Sequence, residues 1–277
     1  MNKPLLHTKT EQTLTPLLTT HLPHAILLSG QQGIGLRTIA NYIAESHKST
    51  PYLIYPEKNE KVDREAGVIT AEAIRGLYDV TKTVETGARI VIIVDAERMG
   101  TVAQNAFLKL LEEPQPGTHF ILLSKAARLL LPTIRSRVQQ YEVTPLTDEQ
   151  SREHISQLGI TDPTHTSQLM FIAGGLPSEL KRLSEDPTLF EQRATIVRDA
   201  RTYLAGNEYE KLLIAHRYKD SRPKALLLVE DAMRLLKRTI AESGDARTLA
   251  QLDQFLSIHE RLLQNGNVRL QLSTAVV

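Results

Sequence analysis

Two patterns of hydrophobic and polar positions divide the chain. Up to about residue 145, short continuous apolar runs alternate with amphipathic stretches of helical period. Five branched apolar residues in succession at 90–94 are typical of a central parallel strand that is covered on both faces. Further strands are predicted at 25–28, 52–55, 120–123 and 141–143, with helices at 2–20, 37–46, 70–83 and 101–113. This alternation predicts an α/β fold with a largely parallel sheet.

Only helical patterns follow residue 147. Thr147 and Gln150 have the spacing of a capping box at a helix start. Asp186-Pro187 is the clearest linker signal, and beyond it the pattern predicts amphipathic helices at 187–205, 208–217, 222–243 and 246–264. Apolar positions from 222 onward are too many for one buried stripe, which indicates packing on two sides. The sequence therefore predicts an α/β core at 1–146 followed by two all-α domains, at 147–185 and 186–277.

A glycine-rich loop follows the first strand. Gly30, Gly33 and Gly35 stand where a phosphate-binding loop of the pattern G-x-x-x-x-G-K-[ST] has its glycines. In that pattern the lysine contacts the β- and γ-phosphates and the hydroxyl holds Mg²⁺, but here the two positions are Leu36 and Arg37. We therefore expect a degenerate P-loop that has lost hydrolysis, while its backbone N–H groups still allow weak binding of ATP or ADP.

Other interpretations of this region remain open. The glycines alone also fit an ordinary strand-to-helix turn without a ligand. A register slipped by one residue would put Arg37 and Thr38 at the lysine and hydroxyl positions and give an active, atypical P-loop. Asp95, at the carboxyl end of the 90–94 run, lies where open α/β sheets bind ligands and could orient a metal ion. Ala96 follows it and cannot activate water.

Composition excludes several classes of protein. The 277 residues carry a formal net charge of +1, from 33 basic and 32 acidic side chains, so overall charge does not indicate nucleic-acid binding. Cysteine is absent, which removes disulfides and thiolate metal sites, and no metal site is expected. No run of 18 apolar residues and no signal-type start occur. We therefore expect a cytoplasmic protein without a membrane partner.

Two segments resemble AAA+ clamp-loader subunits. The first, Ala-Gln-Asn-Ala-Phe-Leu-Lys-Leu-Leu-Glu-Glu-Pro at 103–114, looks like the helix that these subunits carry after their Walker B strand. Thr101 and Gln104 predict a capping box at its start. The second, at 130–138, is similar to the segment that ends in the family's Ser-Arg-Cys motif, with Val138 in place of the cysteine. The resemblance implies that the three predicted domains are an AAA+ core, a helical lid and an oligomerisation collar.

Within that family, Leu36 and Ala96 make the chain similar to the delta-prime members of the bacterial DNA polymerase III clamp loader, which do not hydrolyse ATP. The resemblance implies that Arg137 is an arginine finger acting on a nucleotide of a neighbouring subunit, and that Ser136 supports its segment. The implied partners are the ATPase subunits and the delta subunit of the loader. The sliding clamp and primer–template DNA are engaged through the complex, and no cofactor is required.

Three departures from the family pattern bear on this interpretation. The four-cysteine zinc module of many relatives is absent, because 46–66 contain no cysteine. Arg182 is the arginine nearest the Gly174-Gly175 turn, and it fits the family's sensor position poorly. Ser124-Lys125 stands where ATPase relatives often have a polar sensor. The alternatives are an active AAA+ ATPase subunit with the slipped loop, and a stand-alone nucleic-acid-binding AAA+-like protein.

Overall fold

The computed structural model describes residues 3–19, 22–64, 66–82, 88–243 and 245–275. Predicted element and domain boundaries at residues 1, 2, 20, 83 and 277 lie outside the described residues. By its contacts the chain forms two compact units: Met1–Asp162 with Ala173–Arg182, and Pro163–Ile172 with Leu183–Val277. The predicted lid at 147–185 is thus shared between the units, and the division into three domains stays a prediction.

A parallel five-stranded sheet organises the first unit. Its strands are β1 (Ala25–Ser29), β2 (Tyr52–Ile54), β5 (Arg89–Ile93), β6 (Thr118–Ser124) and β7 (Gln139–Glu142), and their order across the sheet is β2-β5-β6-β1-β7. A short antiparallel hairpin, β3 (Glu57–Lys58) with β4 (Lys61–Val62), lies outside this sheet and was not predicted. The α/β prediction is confirmed, and every predicted strand is present.

Helices cover both faces of the sheet, which explains the continuous apolar run at 90–94. Val91 and Ile93 belong to one core with the helices α3 (Ala71–Lys82) and α4 (Thr101–Glu112). Ile90, Ile92 and Val94 belong to another core, with α1 (Thr8–Thr19) and α2 (Leu36–Ser46). The first unit also contains α5 (Pro132–Arg135), α6 (Asp148–Gln157) and most of α8 (Pro177–Glu185). The predicted capping box at Thr147 and Gln150 is formed at the start of α6.

The second unit consists of helices. They are α7 (Pro163–Ala173), α9 (Pro187–Ala205), α10 (Glu208–Tyr218), α11 (Arg222–Ser243), α12 (Ala246–Leu263) and α13 (Val268–Ser273). Helix α11 packs against both α9 and α12, in agreement with the prediction of helices that pack on two sides. A buried ion pair joins α9 to α11, because Arg193 reaches both carboxylate oxygens of Asp231 at 3.1 and 3.3 Å.

Candidate nucleotide pocket and arginine segment

The glycine loop connects β1 to α2 in the geometry of a phosphate-binding turn. Gly33 and Gly35 have φ values of 89° and 93°, a backbone conformation that residues with a side chain rarely adopt. Gly30 N–H donates to Ser124 O at 3.2 Å, so the loop begins against the neighbouring strand β6. Gly35 is the N-cap of α2 and has no side-chain capping bond. The first N–H groups of α2 therefore keep their capacity to bind an anion.

A cavity of about 580 Å³ opens beside this loop. It brings together most of the predicted nucleotide-site residues: Gly33, Gly35, Leu36, Arg37, Thr38 and Asp95. Gly30 stands at the start of the loop and is not among the lining residues. The cavity lies at the carboxyl ends of β1, β5 and β6, where the sequence placed a ligand site. The binding roles of these residues stay predictions.

Asp95 is buried and surrounded by cations. It is 3% exposed and adopts the left-handed conformation, with φ 52°. Arg64 Nε donates to Oδ2 at 2.7 Å and Arg64 Nη2 donates to Oδ1 at 3.1 Å, while Lys125 Nζ lies 3.0 Å from Oδ1. Burial alone would raise the pKa of Asp95, but the hydrogen bonds and positive charges of Arg64 and Lys125 together lower it below its ordinary value. Asp95 is therefore an anion that anchors two cations.

Sequence reasoning missed Arg64 as part of this site. Arg64 follows the unpredicted hairpin and is 31 residues from Asp95 along the chain, so no spacing signal connects them. Lys125 offered a signal, because it follows the end of β6, the strand next to β5. The resemblance places Ser124-Lys125 where ATPase relatives often have a polar sensor, but it does not indicate the contact of Lys125 with Asp95.

Helix α8 forms the opposite wall of the cavity. Ser178 N–H donates to Gly33 O at 3.0 Å, which fixes the start of α8 to the glycine loop. Arg182 lines the cavity, and its Nη2 donates to Glu179 Oε1 at 2.8 Å. The poor fit of Arg182 to the family's sensor position stays a prediction. On the α2 side, the Arg37 guanidinium lies 5.9 Å from the centre of the Tyr55 ring. Charged side chains from several elements thus surround one space.

The segment of Ser136 and Arg137 is separate from this cavity, since neither residue lines it. Both residues follow the short helix α5. Ser136 Oγ donates to Thr133 O at 3.1 Å, and Arg137 Nη1 donates to the same oxygen at 3.1 Å. Arg137 Nη2 pairs with Glu112 Oε1 at 2.9 Å, and the arginine side chain is 39% exposed. The guanidinium is therefore at the surface, where a second molecule can reach it.

Gln104 does not form the capping box predicted with Thr101. The N-cap of α4 is Gly100, without a side-chain capping bond. Gln104 is buried instead, and its Nε2 donates to Met99 O at 3.0 Å. Its Oε1 accepts a hydrogen bond from Leu131 N–H at 2.7 Å. The prediction was wrong because the amide bridges two loops on the path to α5 rather than folding back on its own helix.

No group of three or more His, Asp or Glu side chains in the described ranges is arranged to hold a metal ion. No helix among these residues is both long enough and apolar enough to cross a membrane.

Comparisons with known proteins connect this geometry to DNA replication. A family model described as "DNA polymerase III, delta subunit" matches residues 7–147. DNA polymerase III subunit delta' of Pseudomonas aeruginosa is 26% identical, over 88% of this chain and 87% of that protein. Replication factor C subunit 3 of Saccharomyces cerevisiae is 24% identical, over 91% of this chain and 75% of that protein. A DNA polymerase III gamma subunit-related protein of Thermotoga maritima shares the fold, with a TM-score of 0.58 and 19% identity over 96% of this chain and 97% of that one.

Proposed function

Because the chain belongs to the DNA polymerase III delta subunit family, we propose that it is a non-hydrolysing subunit of a clamp loader. In this role it supports the ATP-driven loading of a sliding clamp onto primed DNA, while partner subunits hydrolyse the ATP. No cofactor is required for the role, although the glycine loop allows weak binding of ATP or ADP. We expect such a subunit in the cytoplasm, as part of a DNA polymerase holoenzyme.

The observation that carries the non-hydrolysing role is the state of Asp95. In a hydrolysing P-loop protein an aspartate at this position holds Mg²⁺ and the loop lysine holds the phosphates. Here Arg64 and Lys125 form ion pairs with the Asp95 carboxylate, and Leu36 stands in the lysine position of the loop. Ala96 follows Asp95 and has no group to activate water. These features support a subunit that acts on the ATP of others.

The exposed helical surface of the second unit supports assembly with partner subunits. Leu249, Leu256 and Leu263 recur every seven residues along α12, so they lie close to one face of the helix. Their exposures are 47%, 41% and 60%. Exposed apolar side chains that recur along one helix face are candidates for an interaction site. We assign this helical region to contacts with the ATPase subunits and the delta subunit, with clamp and primer–template DNA engaged through the complex.

Arg137 is proposed to act as an arginine finger, with Ser136 holding its segment. A guanidinium at the surface can stabilise charge on a phosphate of a neighbouring subunit, and such contacts are worth about 10³–10⁵ in rate. To do so Arg137 must leave Glu112, its partner at 2.9 Å. Because the Glu112 side chain is 52% exposed, the ion pair contributes little stability and does not prevent Arg137 from moving to a partner's phosphate.

The test is the DNA-stimulated ATPase of the reconstituted complex with Arg137→Ala. We expect the ATP site of the neighbouring subunit to stop contributing to ATP turnover. The complex should still elute as one assembly from a size-exclusion column. Arg152→Ala, on the exposed face of α6, is the matched control and should leave turnover unchanged. Unchanged ATPase of an intact Arg137→Ala complex would refute the finger. ATP turnover by the isolated chain would instead favour the alternative, an active ATPase that uses Arg37 and Thr38.

A further inference from the structure

The cavity beside the glycine loop, where the proposed function places weak binding of ATP or ADP, concentrates positive charge. Five basic side chains line it, against two acidic ones, which gives a formal net charge of +3. The basic residues are Arg37, Arg64, Arg98, Lys125 and Arg182, and the acidic ones are Asp95 and Glu179. The whole chain carries only +1, so this excess is local. Such a lining attracts anions.

A divalent cation does not fit this lining. Mg²⁺ is bound through oxygen ligands, usually one or two carboxylates together with phosphates and waters. Asp95 is the acid at the metal position, and three nitrogen atoms of Arg64 and Lys125 lie 2.7–3.1 Å from its oxygens. A metal ion would have to displace both cations from a buried carboxylate. The side chains at the metal position therefore supply positive charge themselves.

We propose that this cavity binds a polyphosphate anion, the diphosphate group of a nucleotide or inorganic pyrophosphate, without a divalent metal. Arg64 and Lys125 leave one positive charge after neutralising Asp95. Their contacts with Asp95 use two of the five N–H groups of the guanidinium and one of the three of the ammonium. The N–H groups at the start of α2 add backbone donors on the loop side.

The arrangement of the cations favours a ligand with more than one phosphate. Arg37 belongs to α2, Arg64 follows the hairpin, Lys125 follows β6, and Arg182 belongs to α8. These four elements surround a cavity of about 580 Å³, which is more space than a single phosphate fills. A chain of phosphates can extend from the glycine loop toward the other walls, and it presents several acceptor oxygens to guanidinium groups.

Isothermal titration calorimetry of ligand binding to the full chain, without partner subunits, tests the proposal. With EDTA present we expect ADP and inorganic pyrophosphate to bind, and AMP to bind at least about tenfold more weakly than ADP. Excess MgCl₂ should weaken ADP binding several-fold, because the metal neutralises the charge that Arg64 and Lys125 recognise. ADP binding that requires Mg²⁺, failure of pyrophosphate to bind in EDTA, or AMP binding as tightly as ADP would overturn the proposal.

Variants identify the responsible side chains. Arg64→Gln and Lys125→Gln should each lower the affinity for pyrophosphate in EDTA by about tenfold, because each removes charge-assisted hydrogen bonds. Arg75→Gln is the control, since Arg75 is an exposed arginine on α3 outside the cavity. Unchanged affinity in both cavity variants would refute the assignment. If either fails to fold by circular dichroism, the effect of MgCl₂ on the native chain still decides. None of these measurements involves partner subunits, so the outcome is independent of the Arg137 experiment.

Discussion

Gln104 connects helix α4 to the segment that leads to Arg137, and we expect its replacement to loosen that segment. The side chain is 5% exposed. It links Met99 O, at 3.0 Å, to Leu131 N–H, at 2.7 Å, and its contact with Leu129 O at 3.5 Å is too long to add much. Gln104→Met keeps the length of the side chain and removes both hydrogen bonds. Met99 O and Leu131 N–H then lose the hydrogen bonds that Gln104 makes to them.

The expected loss follows from the burial of those two groups. A buried polar group without a partner costs about 1–3 kcal/mol. Met99 is buried, whereas Leu131 is only partly buried and water can reach part of it. We therefore expect the free energy of local opening around residues 129–135 to fall by about 2–4 kcal/mol.

Native-state hydrogen exchange measures this loss directly. The Leu131 amide should exchange much faster in Gln104→Met, together with its neighbours in α5. Gln140→Met is the matched control, because Gln140 Nε2 donates to Arg135 O at 3.0 Å from an exposed position. Gln140→Met should lower the free energy of local opening by no more than about 0.5 kcal/mol. If Gln104→Met lowered protection no more than Gln140→Met, Gln104 would not hold this segment.

Two further predictions concern buried charge. Asp231→Asn leaves the buried guanidinium of Arg193 without its carboxylate, so urea unfolding should show a loss of about 3–5 kcal/mol. Arg217→Gln should cost only about 0–1 kcal/mol, because the Arg217 side chain is 60% exposed and its partner Asp199 keeps the hydrogen bond from Tyr218. Equal losses would contradict this account. The pKa of Asp95 in the folded chain lies below its unfolded value, so its ionised form contributes stability that is present above about pH 4 and is lost as pH falls through the folded pKa. Asp95→Asn should therefore flatten the acid side of the Tm profile, and an unchanged acid slope would refute the role of this group.

Strong hydrophobic patterns explain why most of the fold could be predicted. The run at 90–94 is buried on both faces, so its continuity identified a central strand and implied helices on each side. The hairpin of β3 and β4 could not be found in this way, because its strands have two residues each and are exposed. Its turn uses positive φ at Asn59 and Glu60, and the sequence lacks the Asn-Gly pair that usually indicates such a turn.

Side-chain hydrogen bonding was harder to predict than the elements themselves. Thr147 and Thr101 both precede a glutamine by three residues, yet only Thr147 forms a capping box. The difference is burial. Gln150 lies near the surface and folds back on its helix, whereas Gln104 is covered by the loops at Met99 and Leu131 and satisfies their backbone groups. Spacing alone does not contain that information, because the loops reach Gln104 only through the tertiary fold.

The same reasoning applies to Asp95, whose position was predictable and whose chemistry was not. From the sequence alone, a strand-end acid beside a glycine loop could orient a metal ion at a nucleotide site. The structure places on that acid the guanidinium of Arg64, which follows the hairpin, and the ammonium of Lys125, which follows β6. The acid therefore pairs with two cations and leaves one positive charge in excess, so the cavity around it is positively charged. Because the partners of a buried carboxylate decide its role, a motif that keeps its aspartate does not by itself establish a metal site.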